Sequence, residues 1–264
     1  MKPIDIGHHV APFKPNGNAK PEHIEMFRTL DTQPDNERPL EASLLLLCTP
    51  RCGSTFFSEA LNACGKLGHC DEWFNYSYMD AWHRVTGADC NLKAYLEWIV
   101  KKTLRNTGVL AVKCHMGQLI AMNRDFGSCV EAMDFTHTVY LSRGNKIAQA
   151  VSLVKAVSTD QFRSSDEIRG EYQMSRRGIA DALKNLVWFD QFADQSLSKY
   201  TDKQYTYNDL CSAPHVACNE VLEALGKSPC DPEAFRVTKI KKQSDQRNLN
   251  AIEDFRRYIL GEVE

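Results

Sequence analysis

The stretch Leu44-Leu45-Leu46-Leu47-Cys48-Thr49-Pro50-Arg51-Cys52-Gly53-Ser54-Thr55-Phe56-Phe57 constrains the fold more than any other part of the chain. A short apolar run stops at Thr-Pro-Arg, and a turn of small residues follows. Phe56, Phe57, Ala60, Leu61 and Ala63 then recur at helical spacing. The pattern predicts a buried strand over 43–49, a tight loop, and a helix from Ser54 to about Cys64, stopped at Gly65. A helix entered from such a loop aims bare N–H groups and the positive end of its dipole at the loop. Arg51 adds a positive charge, and Ser54 and Thr55 add hydroxyl donors. The loop therefore reads as an anion site of the phosphate type, in preference to a plain strand–helix connection capped by Ser54. It is not the nucleotide loop G-x-x-x-x-G-K-[ST], because Ser54 follows Gly53 directly and no upstream Gly precedes Arg51 at the required spacing.

The same period continues along the chain. Further strands are predicted over 109–114, 136–142 and 204–207. Helices are predicted over 91–105 and 118–124, near Val130, after Asn145, from 171 to about 197, and over 213–225 and 249–260. Strands alternating with helices imply a parallel sheet covered on both faces. The expected fold class is α/β, a single P-loop-like domain with a central, mostly parallel sheet flanked by helices. With 264 residues and 43% hydrophobic content the chain can bury one large core. Residues 41–264 are the expected domain. Residues 1–40, rich in Pro, Asn, Asp and Lys, read as an irregular arm with a short helix around 23–30. Asn145 caps a helix with Ile147, Ala150, Val151, Val154 and Val157 inward. In the long helix that follows, Ile179, Leu183, Leu186, Val187 and Phe189 form the inward face. Residues 158–170, polar apart from Phe162, read as a mobile loop. In 68–76, Asp71 and Glu72 adjoin Trp73, Phe74 and Tyr76 without clean periodicity. That composition fits a ligand surface and a satellite core plug equally well.

A net charge of −2 gives no broad field for nucleic acid or an anionic membrane, so the anion site must be local. Ten Cys occur without repeating spacing. No signal peptide or apolar run of membrane-spanning length is visible, which predicts a cytoplasmic protein with reduced thiols and no transmembrane segment. Cys64, His69 and Cys70, like Cys211, His215 and Cys218, lack the paired spacing of a zinc site, so no metal is expected.

Four motifs occur in a fixed order: Arg51-Cys52-Gly53-Ser54-Thr55, Glu72-Trp73-Phe74, Arg143 followed by Gln149-Ala150-Val151-Ser152, and Gln243-Ser244-Asp245-Gln246-Arg247. Together they resemble the trehalose 2-sulfotransferase family of bacteria, over roughly residues 43–260. The resemblance implies transfer of a sulfuryl group from 3′-phosphoadenosine 5′-phosphosulfate to a hydroxyl of a carbohydrate or glycolipid. It also implies a homodimer. Arg51, Cys52, Gly53, Ser54 and Thr55 would hold the 5′-phosphosulfate. Arg143 and Ser152 would hold the 3′-phosphate, with Arg247 as a helper. Glu72 would be the general base and Arg51 would also serve the transition state; His115 is the other candidate base. Partial burial is expected to raise the Glu72 pKa, while Trp73, Phe74 and Tyr76 exclude water and hold a sugar ring. Asp71 is the nearby competitor of Glu72. The chain departs from the family at Cys52, at Lys113-Cys114-His115-Met116 and between Tyr76 and Asn91, so the acceptor stays open. The competing readings are a P-loop nucleotide kinase or hydrolase and a non-catalytic nucleotide-binding protein. The first needs a Lys after the loop glycine and a strand-end Asp, where this chain has Ser54 and Ser142-Arg143.

Overall fold

All seven residues of β1 (Ala42–Cys48) are buried, because the strand is covered on both faces. Leu44, Leu46 and Cys48 enter one apolar cluster, with Phe57 and Leu61 of α2 (Ser54–Ala63). Leu45 and Leu47 enter the other, with Trp73, Phe74, Tyr95 and Leu96. An unbroken apolar run is what a strand buried on both faces requires. The computed structural model describes residues 17, 19–126, 134–164, 166–237 and 244–263. The helix expected near Val130 lies outside the described residues, as do most of the first 18 residues and positions 238–243.

β1 pairs in parallel with β2 (Val109–His115) on one side and β3 (His137–Ser142) on the other. β4 (Lys203–Thr206) adds in parallel to β3, giving the order β2-β1-β3-β4. The chain leaves β1 toward β2 and later returns to β3 on the other flank. The carboxyl ends of β1 and β3 therefore bound a topological switch point, where open α/β sheets place ligands. Arg51 follows the first of these strands and Arg143 the second.

Side-chain caps fix several helix starts. Asn75 precedes α3 (Tyr76–Thr86) and Asn91 precedes α4 (Leu92–Thr103). α5 (Met116–Phe126) follows β2 directly. Asn145 accepts from the Ala148 amide at 3.0 Å and starts α6 (Lys146–Thr159); Ser175 caps α7 (Arg176–Phe192). α8 (Tyr207–Ser212) and α9 (Pro214–Ala224) follow β4, and Asp245 caps α10 (Gln246–Ile259). α6, α7 and α10 share a third apolar cluster that includes Ala150, Leu186 and Phe255.

The short helix expected around 23–30 of the N-terminal arm is α1 (Pro21–Thr32), and its Phe27 is wholly buried against Trp73, Tyr78, Tyr95 and Trp98. Other expectations are corrected. Val157 is 62% exposed and Val187 38%, so neither belongs to its helix's inward face. The long helix starts at Arg176 instead of 171, and 193–197 widens into a π turn. The stretch between Tyr76 and Asn91, which departs from the family, holds α3; Tyr78, Met79, Asp80, Ala81 and Trp82 are buried in succession there, which erases a one-sided stripe.

Candidate active site

The phosphate-type loop is held from beneath. Buried Gln149, on α6, donates through Nε2 to Thr49 Oγ1 at 2.9 Å and to the Pro50 carbonyl at 2.7 Å. The turn needs left-handed backbone at Arg51 (φ 64°) and Gly53 (φ 93°). Gly53 stands at the N-cap of α2 and brings no side-chain cap, which leaves amides of the first turn for water or a ligand. A Cβ on Gly53 would sit 2.9 Å from Tyr207 Cδ2. Both constraints act on Gly53→Ala, which should lose roughly 1–3 kcal/mol of stability. Denaturant unfolding checks this; a loss within error would show that the loop and Tyr207 relax freely.

Above the loop two guanidinium groups lie together. Arg51 Nε donates to Ser152 Oγ on α6 at 3.1 Å, and its Nη1 donates to the Phe162 carbonyl. Arg143 Nη1 donates to the Arg51 carbonyl at 3.2 Å, and its guanidinium stands 4.5 Å over the Tyr207 ring. Burial, and then the neighbouring Arg143 charge, lower the Arg51 pKa; the group stays protonated all the same. Among the described residues no carboxylate pairs with Arg143. An anion between the two groups would relieve their repulsion.

The opposite side of the site is carried by β2. Asp71 forms an isolated parallel bridge with Val112, and its carbonyl accepts from the Lys113 amide at 2.9 Å. That pairing lays Glu72 against the carboxyl end of β2. Glu72 Oε1 lies 3.1 Å from Lys113 Nζ and 3.4 Å from His115 Nε2. Its Oε2 accepts from Gln118 at 2.8 Å and Asn75 at 3.2 Å. Burial alone would raise the Glu72 pKa. Lys113, His115 and Gln118 outweigh burial and hold the carboxyl well below the usual carboxylate range. The expected upward shift is therefore corrected: burial came with cations. Asp71 acts as a brace, accepting from the Glu72 amide at 2.8 Å, Tyr78 Oη at 3.1 Å and Arg163 Nη2 at 3.2 Å. Lys113 itself is fully buried, and burial lowers its pKa, but Glu72 and Asp71 more than offset this and raise it.

One cleft of about 1420 Å³ joins these parts; Arg51, Gly53, Ser54, Thr55, Arg143, Ser152, Glu72 and His115 all line it. The side chains of two expected donor-binding residues do not line the cleft. The Cys52 side chain is wholly buried in the apolar cluster beneath the loop. Arg247 is exposed with its guanidinium 5.2 Å from the Tyr172 ring, and it is Asn248, Ile252 and Ser244 that line the cleft there. The aromatic trio is also corrected: Trp73 and Phe74 are 0% and 1% exposed in the core, and Tyr76 packs against that core. Among the described residues Phe162 is the exposed aromatic ring lining the cleft, alongside half-buried Phe56, Phe189 and Tyr207.

Sequence reasoning missed Gln149 as the loop's support, Arg163 as the partner of Asp71 and Tyr207 beneath Arg143. It left Lys113 without a role. A lysine inside the apolar run 109–114 was a usable signal, since a lysine is almost never fully buried unless paired.

The family model described as Stf0 sulphotransferase matches residues 43–258. The sulfotransferase domain from the curacin biosynthetic pathway is similar in structure at 16% identity and a TM-score of 0.41, over 80% of this chain and 82% of that one. Mouse sulfotransferase SULT7A1 complexed with PAP is similar at 9% identity and a TM-score of 0.43, over 94% of this chain and 92% of that one. No curated protein matches the chain.

Proposed function

The chain belongs to the Stf0 sulphotransferase family and is a sulfotransferase, and from that premise we propose that its cleft binds 3′-phosphoadenosine 5′-phosphosulfate and a hydroxyl acceptor side by side. The observation that carries this reading is the pairing of Arg51 and Arg143 over the uncapped start of α2, with Glu72 on the far side of the same cleft. A donor with two separate anionic ends matches two cationic groups on adjacent loops. The volume supports two ligands, since pockets for one small molecule run roughly 300–1,000 Å³.

In this reading Arg51 and the α2 amides hold the phosphosulfate and stabilise negative charge on the bridging oxygen as the S–O bond breaks. Arg143 and Ser152 hold the 3′-phosphate. Glu72 takes the acceptor hydroxyl proton. A carboxylate held at low pKa is a weak base toward a free alcohol. It suffices once the new O–S bond has formed far enough to make that proton acidic. Residues 41–264 are the catalytic domain, and 1–40 is an arm whose helix packs onto it. The acceptor is a carbohydrate or glycolipid and the assembly is homodimeric, both supported by the family resemblance; the cytoplasmic setting is supported by ten Cys that occur without a repeating spacing. Among the described residues no helix is long and apolar enough to cross a membrane.

The donor is tested by ligand-dependent melting. 3′-Phosphoadenosine 5′-phosphate should raise the melting temperature without added metal, because binding to the folded state alone stabilises it. ATP, which lacks the 3′-phosphate, should raise it much less. Equal shifts would favour a nucleoside-triphosphate enzyme instead.

A further inference from the structure

The sheet order gives the cleft two ends. Arg143 and Tyr207 emerge from β3 and β4, on one flank of the loop, whereas Glu72 and His115 stand at β2, on the other. The β2 end is where an acceptor must lie if Glu72 is to reach its hydroxyl. That end is closed by an element outside the 43–258 family match, helix α1.

α1 is fastened to both sides of the opening. The Ala19 amide donates to Asp80 Oδ2 on α3 at 2.8 Å, and His23 Nδ1 meets Ser77 Oγ at 2.8 Å. On the other side, Lys20 pairs with Asp160 at 3.2 Å and Glu22 with Arg169 at 3.5 Å. Lys20, Glu22 and His23 all line the cleft. Phe27, one turn further on, is the buried anchor that keeps the helix in place.

We infer that α1 is the outer wall of the acceptor subsite, with Glu22 and His23 as the side chains that select the acceptor. The inference rests on the acceptor reading above and goes beyond it in assigning selection to residues the family match does not cover. The chemistry of the wall defines what it takes. Its cations are matched by carboxylates, so it lacks the positive field that draws the donor to Arg51 and Arg143. Burial lowers the His23 pKa, which favours a neutral imidazole; its Nδ1 meets Ser77, and its Nε2 is left to bond an acceptor hydroxyl. Glu22 adds a carboxylate acceptor. Such a surface hydrogen-bonds a neutral, hydroxyl-rich molecule and offers an anionic one no unmatched cation. If α1 served only to cover the aromatic core through Phe27, the polar side chains on its cleft side would be interchangeable.

The test uses the full chain and its Glu22→Ala and His23→Ala variants. Trehalose, sucrose, methyl glucoside, glucuronic acid and p-nitrophenol are offered with labelled donor. Loss of a hydrogen bond to the acceptor should raise the acceptor KM on the order of tenfold in each variant, with affinity for 3′-phosphoadenosine 5′-phosphate within about twofold of the parent. The order of preference among the sugars should change as well. Unchanged KM values in both variants, or donor affinity falling in step with KM, would overturn the inference. If the parent sulfates only p-nitrophenol, the carbohydrate reading fails separately, and the wall is judged on KM for that compound; if it sulfates only glucuronic acid, the neutral-polyol chemistry assigned to the wall is overturned. If the parent sulfates none of the five, the neutral-polyol chemistry assigned to the wall is overturned with it.

Discussion

Glu72→Gln should lower turnover roughly 10²–10⁴-fold, the range that loss of a positioned general base produces. The replacement keeps the length of the side chain and its contacts with Gln118 and Asn75 but cannot accept the proton. Donor affinity should hardly change, because Arg51 and the α2 amides belong to the loop itself and Arg143 to the flank away from Glu72. The substitution also removes the nearest counter-charge of buried Lys113, leaving Asp71 at 3.9 Å. Some loss of stability is expected from that uncompensated charge. Turnover must therefore be measured well below the variant's melting temperature, with nucleotide binding as the check on folding. The pH dependence gives a second reading. A carboxyl whose folded pKa is depressed contributes stability that is present above its unfolded value, about 4.3, and is lost as pH falls through the folded value. Glu72 is then ionised throughout the neutral range, and its protonation should not cause any fall in activity between about pH 7 and pH 5. If Glu72→Gln turns over near the parent rate while His115→Ala does not, the proton goes to His115, 3.4 Å away.

The parts of the site legible in the sequence were those built from neighbours in the chain. Leu44 to Cys48, the glycine at 53 and the helical spacing after Ser54 specify strand, turn and helix within some twenty residues, and the structure has each where expected. Asn145 as a cap is equally local. What was not legible came from contacts between segments far apart in the chain. The charge state of Glu72 depends on Lys113, His115 and Gln118, more than forty positions downstream, and no local pattern announces their approach. The aromatics after Glu72 show the same limit. Trp73 and Phe74 fit a ligand wall or a core plug equally well by composition, and the choice was made by α1 and α4 packing onto them. Val157 and Val187 failed for a different reason: apolar side chains on a folded surface are common, so helical spacing alone cannot assign each one inward. Arg247 stacks by the Tyr172 ring, and its neighbour Asn248 takes the cleft-facing side of α10, a one-position phase that the motif does not specify.

Arg143→Ala should weaken donor binding by roughly 2–4 kcal/mol, the cost of losing a charged hydrogen bond in a largely desolvated site. That corresponds to a rise in Kd of roughly 30- to 1,000-fold. Ser152→Ala, which removes a neutral hydroxyl, should cost about 1 kcal/mol. Arg143 has two structural roles that could mimic recognition of the 3′-phosphate. It donates to the Arg51 carbonyl, and it lies on the Tyr207 ring that closes over Gly53. Its removal could loosen the whole loop and weaken any nucleotide equally. Comparing 3′-phosphoadenosine 5′-phosphate with adenosine 5′-phosphate separates the two effects, since the ligands differ only in the 3′-phosphate. If the guanidinium binds that group, Arg143→Ala abolishes most of the affinity difference between them and leaves binding of the smaller ligand nearly intact. If both ligands weaken by the same factor, Arg143 supports the loop from its carbonyl side, and the 3′-phosphate is held by another group in the cleft. Arg143→Lys sharpens the comparison. A lysine keeps the charge but not the planar fork that can contact Arg51 and a phosphate together. Partial retention of the difference between the two ligands would then separate charge from geometry.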